Sequence, residues 1–209
     1  MNPETLSLVT YWLGMAAVAA MAGAAVIDAG KKQFDLFGVI VIALAAALGG
    51  GSLRDMLLDR PVFWIADQIY LLVALISASS VFFLARWLRM PMRTFLLLDA
   101  IGLALFSVTG TEAALQLGTS WLVASFMGVI TGVMGGILRD VLCNEDPWVF
   151  RGPLFATASW LGSWLYIFLR EVEISYWAAS AAAGITILLI RALAIYKDVN
   201  LPRYKEKNR

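Results

Sequence analysis

The residues best suited to chemistry lie in one short phrase that occurs twice in the chain. The copies are residues 49–55 (GGGSLRD) and 135–140 (GGILRD), each following an apolar run. Glycine destabilises a helix interior by about 1 kcal/mol relative to alanine. The phrase therefore predicts a break in each of two helices. A break at membrane depth exposes carbonyl oxygens, which can replace the water around a cation.

The residues predicted to line an ion pathway are glycines, hydroxyls and carboxylates at or near these breaks. They are Gly49, Gly50, Gly51, Ser52, Thr131, Gly135, Gly136, Asp28, Asp99 and Glu112. Further candidate hydroxyl ligands are Ser107, Thr109 and Thr111. Two alternatives that assign these residues a purely structural role stay open. The glycines could simply let helices approach closely, and Asp28 could form an interfacial ion pair with Lys31 or Lys32.

Four charges follow the two breaks by about one helical turn and are expected at the mouths of the pathway. They are Arg54, Asp55, Arg139 and Asp140. Adjacent residues on a helix do not face each other, so the Arg and the Asp of each pair are expected to have different partners. These charges either shape the potential at each mouth or pair with loop charges and fix the helix ends.

The composition places the chain in a membrane. It is 61% hydrophobic and 15% charged, with a mean hydropathy of +0.79, against about 45–50% and about 25% for soluble domains. The net charge of +1 excludes a strongly basic nucleic-acid footprint. There is no His and one Cys, and no phosphate-binding loop or nucleophile–base dyad occurs. We expect no enzyme, no cofactor and no metal beyond transient K⁺ or Na⁺.

Apolar runs of about 20 residues are long enough to cross a bilayer. They predict an all-α membrane protein whose residues 1–209 form one transmembrane domain with a basic tail at 197–209. The seven predicted spans are residues 6–27, 36–57, 65–84, 94–115, 120–142, 154–169 and 175–196. Six spans would also be possible, but only if a sufficiently long run were dropped. Within the fourth span, Asp99 and Glu112 lie roughly 20 Å apart along the helix axis.

The distribution of Lys and Arg predicts the orientation. With seven spans, only Arg54, Arg60 and Arg170 of the 16 basic residues fall on the side of the N-terminus. Positive charge is enriched on the cytoplasmic side. The N-terminus is therefore predicted outside and the C-terminus in the cytoplasm.

Aligning the two phrases gives an internal repeat with an offset of 85 residues. Each half holds three spans, residues 6–84 and 94–169, and the seventh span is extra. Three is an odd number, so the halves would enter the membrane from opposite sides as an inverted repeat. With a one-residue gap, Asp28 would fall opposite Glu112.

The segments 34–64 and 132–151 resemble the bacterial membrane family often labelled "glycine transporter domain", which is similar to the trimeric intracellular cation (TRIC) channels. The resemblance covers nearly the whole chain. It implies a homotrimer in the bacterial inner membrane with a pore in each protomer. It also implies conduction of monovalent cations, mainly K⁺, past kinks in the second and fifth spans.

Two departures from the family pattern are visible. Met134 replaces the first glycine in the second copy. The eukaryotic channels are linked with basic residues in the fourth span, whereas here that span carries Asp99 and Glu112 and no Lys or Arg after Arg93. The sequence favours a passive K⁺-preferring channel. The alternatives are a secondary transporter of a small solute such as glycine, and a non-conducting scaffold.

Overall fold

The computed structural model describes residues 3–197 and residue 199, and within this part of the chain the regular structure is helical. The predicted basic tail lies almost entirely outside the described residues. A single 3₁₀ turn, Gly30–Lys32, follows the first helix. The α-helices are α1 Pro3–Ala29, α2 Leu36–Leu57, α3 Phe63–Ala66, α4 Ile69–Trp87, α5 Met92–Gln116, α6 Trp121–Leu142, α7 Trp148–Arg151, α8 Phe155–Glu171 and α9 Tyr176–Lys197.

Six of the described helices are long and apolar enough to cross a membrane, namely α1, α2, α4, α5, α6 and α9. Helix α8 occupies the position of the predicted sixth span but has 17 residues. At 1.5 Å per residue it is about 25 Å long, slightly short of the hydrocarbon core of about 30 Å. Large apolar side chains such as Phe37, Ile76 and Trp87 are exposed on the outer helix faces, as expected for contact with lipid.

The same turns recur at an offset of 85 residues. Gln33 and Gly118 have left-handed backbone conformations after α1 and α5, with φ of 59° and 72°. Asp59 and Asn144 do so after α2 and α6, with φ of 51° and 54°. Glycine and asparagine adopt this conformation most readily.

The caps of α2 and α6 also correspond. Asp35 accepts a hydrogen bond from the backbone N–H of Gly38 at 2.8 Å, and Ser120 does so from Val123 at 3.4 Å. Such side-chain acceptors satisfy the free N–H groups of a first helical turn. These matches place the halves in register without a gap. The expected alignment of Asp28 with Glu112 was therefore wrong, and Asp28 corresponds to Ala113.

The predicted breaks are absent, because α2 and α6 are helical throughout their glycine phrases. A helix in lipid must satisfy its backbone hydrogen bonds internally. Keeping the helical hydrogen bonds therefore outweighs the cost of two or three glycines. Helices α1 and α5 lie at the centre and pack against each other, α2 packs on α6, and α4 and α8 pack outside these pairs.

Candidate functional site

Helices α2 and α6 cross in backbone contact at their glycines. A Cβ atom added to Gly50 would overlap the carbonyl oxygen of Thr131, and one added to Gly135 would overlap that of Ala46. Thr131 is the counterpart of Ala46, and Gly135 is the counterpart of Gly50, at the offset of 85. Such reciprocal contacts are what two-fold related packing produces.

The neighbouring glycines also make room for side chains. A Cβ on Gly49 would overlap the side chain of Leu138, and one on Gly51 would overlap or crowd the ring of Phe63. At Gly136 there is more space, since a Cβ atom added there would lie 3.8 Å from the nearest heavy atom, Nη2 of Arg139. At this crossing the glycines serve close packing, as the alternative interpretation held.

At the C-terminal end of α6, Arg139 is fully buried among three carboxylates. Its Nη1 lies 2.6 Å from Asp99 Oδ1, its Nη2 lies 2.8 Å from Asp140 Oδ1, and its Nε lies 3.5 Å from Asp28 Oδ2. Lys31 Nζ lies 2.8 Å from the other oxygen of Asp28. The cluster therefore holds one more carboxylate than cations, and it brings together four of the predicted site residues.

At the C-terminal end of α2, Arg54 is held by one carboxylate. Its Nε and Nη2 donate to Asp55 at 2.8 and 3.0 Å. Arg60 Nε lies 4.0 Å from the same carboxylate. The ring of Phe63 covers Arg54, with 5.6 Å between the guanidinium carbon and the ring centroid.

The expectation of different partners for adjacent Arg and Asp residues was wrong, because each pair binds internally. The long arginine side chain folds back and reaches the neighbouring carboxylate. The second oxygen of each aspartate then accepts the backbone N–H that begins the next short helix. Asp55 Oδ2 accepts from Phe63 at 2.9 Å, and Asp140 Oδ2 accepts from Trp148 at 2.8 Å.

Glu112 stands apart from both clusters. It accepts a hydrogen bond from Tyr166 Oη at 2.6 Å and from Gln116 Nε2 at 3.1 Å. It lies between α5 and α8 rather than beside Asp99, so the two acids of α5 belong to different environments.

The candidate hydroxyls share one geometry. Each donates to the carbonyl four residues earlier in its own helix, which satisfies the proton and leaves oxygen lone pairs available. The donors are Ser52, Ser107, Thr109, Thr111 and Thr131, at 2.6–3.0 Å. Ser107 also contacts Ser159 at 2.6 Å, and Ser52 accepts from Trp64 Nε1 at 2.8 Å.

Three residues of these surroundings were not singled out from the sequence. Phe95 lies under Arg139, with 4.7 Å from guanidinium carbon to ring centroid. Arg191 of α9 is fully buried, donates to the carbonyl of Pro153 and stacks over Phe155 at 4.4 Å. An arginine inside an apolar run is itself a signal of function. Ser159, in α8, had no comparable signal.

Comparison with known proteins gives two matches of the family described as "Glycine transporter", over residues 11–86 and 96–171. These ranges repeat the offset of 85. The Escherichia coli K12 UPF0126 inner membrane protein YadS is 39% identical over 204 residues, covering 94% of this chain and 97% of YadS.

Among solved structures, the TRIC trimeric intracellular cation channel orthologue from Rhodobacter sphaeroides matches with a TM-score of 0.87 and 35% identity. The match covers 91% of this chain and 99% of the orthologue. A prokaryotic TRIC channel crystallised in 0.5 M KCl matches with a TM-score of 0.86 and 27% identity, covering 93% and 100%. The chain is an integral membrane protein with the TRIC channel fold, and it belongs to the Glycine transporter family that includes the UPF0126 membrane proteins.

Proposed function

We propose that this protein is a passive channel for monovalent cations, with a preference for K⁺, in the bacterial inner membrane. The observation that carries the proposal is the similarity over nearly the whole chain to structures described as TRIC cation channels. We further propose a homotrimer with a pore in each protomer. The trimeric orthologue and the inner-membrane location of YadS support these two points.

The ion pathway is proposed to run along α2 and α6, between the Arg54 and Arg139 clusters. Charged side chains within membrane-spanning helices normally pair with one another or mark an ion path. The excess carboxylate of the Arg139 cluster favours cations over anions at that end.

Hydroxyl oxygens are the proposed ligands between the two clusters. Thr131 lies directly at the crossing, and Ser107 and Thr111 lie on the facing side of α5, where they adjoin Gly132 and Gly128 of α6. Because their protons are donated to backbone carbonyls, their lone pairs are available to replace water around a cation.

The contact of Gly50 and Gly135 with the opposite backbone is proposed to be the constriction. Two helices in backbone contact leave no room for an ion, so conduction requires α2 and α6 to part or rotate at this point. In this mechanism the ion passes where α2 and α6 move apart at their crossing, instead of binding to the exposed carbonyls of a broken helix.

The seven-span topology, with α8 as the sixth span and the N-terminus outside, remains part of the proposal. The reciprocal glycine contacts and the repeated turns support an inverted repeat. Arg54, Arg139 and Arg191 are buried, so they no longer count as loop charges. The remaining basic residues keep the same bias.

The test is transport by the purified protein in proteoliposomes and planar bilayers. We expect K⁺ efflux down its gradient, single-channel current steps, and a bi-ionic reversal potential that favours K⁺ over Na⁺. Because the family is described as "Glycine transporter", labelled glycine counterflow is measured in the same vesicles. Saturable glycine exchange without current steps would replace the channel by a secondary transporter.

A further inference from the structure

The Arg54 and Arg139 sites occupy equivalent positions in the two repeats but have different surroundings. Phe95, Asp99 and Asp28 contact Arg139. Lys31 lies one step further out, where it binds Asp28 and lies over the ring of Phe95. At the offset of 85, their counterparts are Thr10, Gly14, Ala113 and Gln116. Each of the four is smaller than its counterpart, and neither carboxylate is retained.

All four counterparts line one cavity beside Arg54, with a volume of about 100 Å³. One water molecule needs a cavity of about 10–15 Å³, so this cavity can hold a small organic ion or a few waters. The cavity exists where the other repeat places the side chains of Asp28 and Asp99.

The charge of the cavity wall is positive. Arg54 and Arg60 both line it, and both approach the single carboxylate of Asp55. The counterpart of Arg60 is Glu145, so a further negative charge of the second repeat is replaced by a positive one. Glu112 is close in sequence to Ala113 but binds Tyr166 and Gln116 instead.

We propose that this cavity binds a small monovalent anion with the chemistry of a carboxylate, which takes the place of Asp28 and Asp99 at the equivalent site. Asp55 engages Nε and Nη2 of Arg54, and Nη1 is the nitrogen that faces the anion. Arginine binds carboxylates through charge-assisted hydrogen bonds. Arg60, whose side chain is 34% exposed, lies at the rim and guides the anion in.

A cation is disfavoured in this cavity because Arg54 and Arg60 line it and the carboxylate of Asp55 is already bonded to Arg54. The proposal does not depend on cation conduction. The anion site could exist in a channel or in a transporter, and its test therefore uses binding rather than flux.

The first measurement is thermal unfolding of the full-length protein in detergent, followed by tryptophan fluorescence. Sodium acetate and sodium chloride are titrated against sodium gluconate, a far bulkier carboxylate, at constant ionic strength. Zwitterionic glycine is titrated separately. We expect acetate to raise the melting temperature by about 3–6 °C at ten times its dissociation constant. A response to acetate indicates a carboxylate site, and a response to chloride alone indicates a halide site. Equal melting in every salt would overturn the proposal.

The decisive variant is Ala113→Asp, which restores the carboxylate of the equivalent site. We expect it to abolish the acetate response and to melt above the isosteric control Ala113→Asn. A full acetate response in Ala113→Asp would place the anion elsewhere and refute the site.

Bromide diffraction provides a second measurement that needs no variant. Crystals of the wild-type protein grown in bromide should show an anomalous peak within hydrogen-bonding distance of the Arg54 guanidinium. If no bromide peak lies near Arg54 and acetate does not raise the melting temperature, the proposal is refuted, even if Ala113→Asp fails to fold.

Discussion

Gly50 and Gly135 make reciprocal contacts across the crossing of α2 and α6. Each lies against the carbonyl that precedes the other glycine by four residues, Thr131 for Gly50 and Ala46 for Gly135. The repeat thus preserves a pair of backbone approaches that only glycine permits. The contact is buried in protein, and so its geometry can be tested by adding a single methyl group.

Gly50→Ala and Gly135→Ala should each destabilise the protein by about 1–3 kcal/mol, because the added carbon overlaps a backbone carbonyl and the helices must shift. The matched control is Gly184→Ala in α9, where nothing lies within 4 Å. It should stabilise by up to about 1 kcal/mol through helix propensity. Chemical unfolding in detergent measures all three. Equal effects at the three positions would contradict the packing role.

Arg139→Gln should destabilise strongly, because it leaves the three carboxylates of Asp28, Asp99 and Asp140 without their shared guanidinium. Removing one partner of a buried ion pair destabilises a protein by about 3–5 kcal/mol. Lys32→Gln is the control, since it removes an exposed pair with Glu145 at 2.7 Å and should cost less than about 1 kcal/mol. A loss at Arg139 no larger than at Lys32 would show that the cluster adds little to stability.

Asp99→Asn should reduce K⁺ conductance without closing the pathway, because it removes the excess negative charge of the Arg139 cluster. We expect a fall of roughly threefold or more at low salt, shrinking as ionic strength rises. Single-channel recordings in about 10 mM and about 1 M KCl, where the Debye length is about 30 Å and about 3 Å, separate this electrostatic effect from misfolding. Glu145→Gln, at the exposed pair, should leave conductance nearly unchanged. A salt-independent loss in Asp99→Asn would mean a structural role.

Cys143 should resist alkylation in the folded protein. Its side chain is buried, and burial raises the pKa of the thiol to about 11, with the charge of Asp28 adding to the shift. The reactive thiolate is then about one part in a thousand at pH 8, and reaction should accelerate as the pH rises towards 11. Maleimide labelling followed by mass spectrometry measures the rate, and denatured protein is the control. Rapid labelling of folded protein at pH 7 would contradict the buried position.

Much of the architecture could be predicted from the sequence. Apolar runs located the long helices, and the paired phrases located the repeat, because both signals depend on local composition. The helix breaks were predicted wrongly because glycine propensity was weighed without the backbone hydrogen bonds that lipid enforces. The Arg-Asp pairs were predicted wrongly for a related reason. The Cβ atoms of adjacent residues on a helix point in different directions, but a long side chain that is shielded from water can bend back to the nearest carboxylate.

Other relationships depended on contacts between distant segments. The grouping of Asp28, Asp99 and Arg139 requires three helices to meet, and no spacing along the chain encodes that meeting. The cavity beside Arg54 is also invisible in sequence until the ungapped register pairs Asp28 with Ala113. Small residues such as Gly14 and Ala113 carry no signal of their own.

The hydrogen bond from the Phe63 amide to Asp55 has a mechanical consequence. It ties α3 to the end of α2, while the Phe63 ring packs edge-to-face against Tyr70 of α4 with 4.8 Å between centroids. Tyr70 in turn donates to the carbonyl of Tyr11 in α1 at 3.4 Å. A tilt of α2 would therefore also displace α4 and α1, because the side chains of Phe63 and Tyr70 connect the three helices.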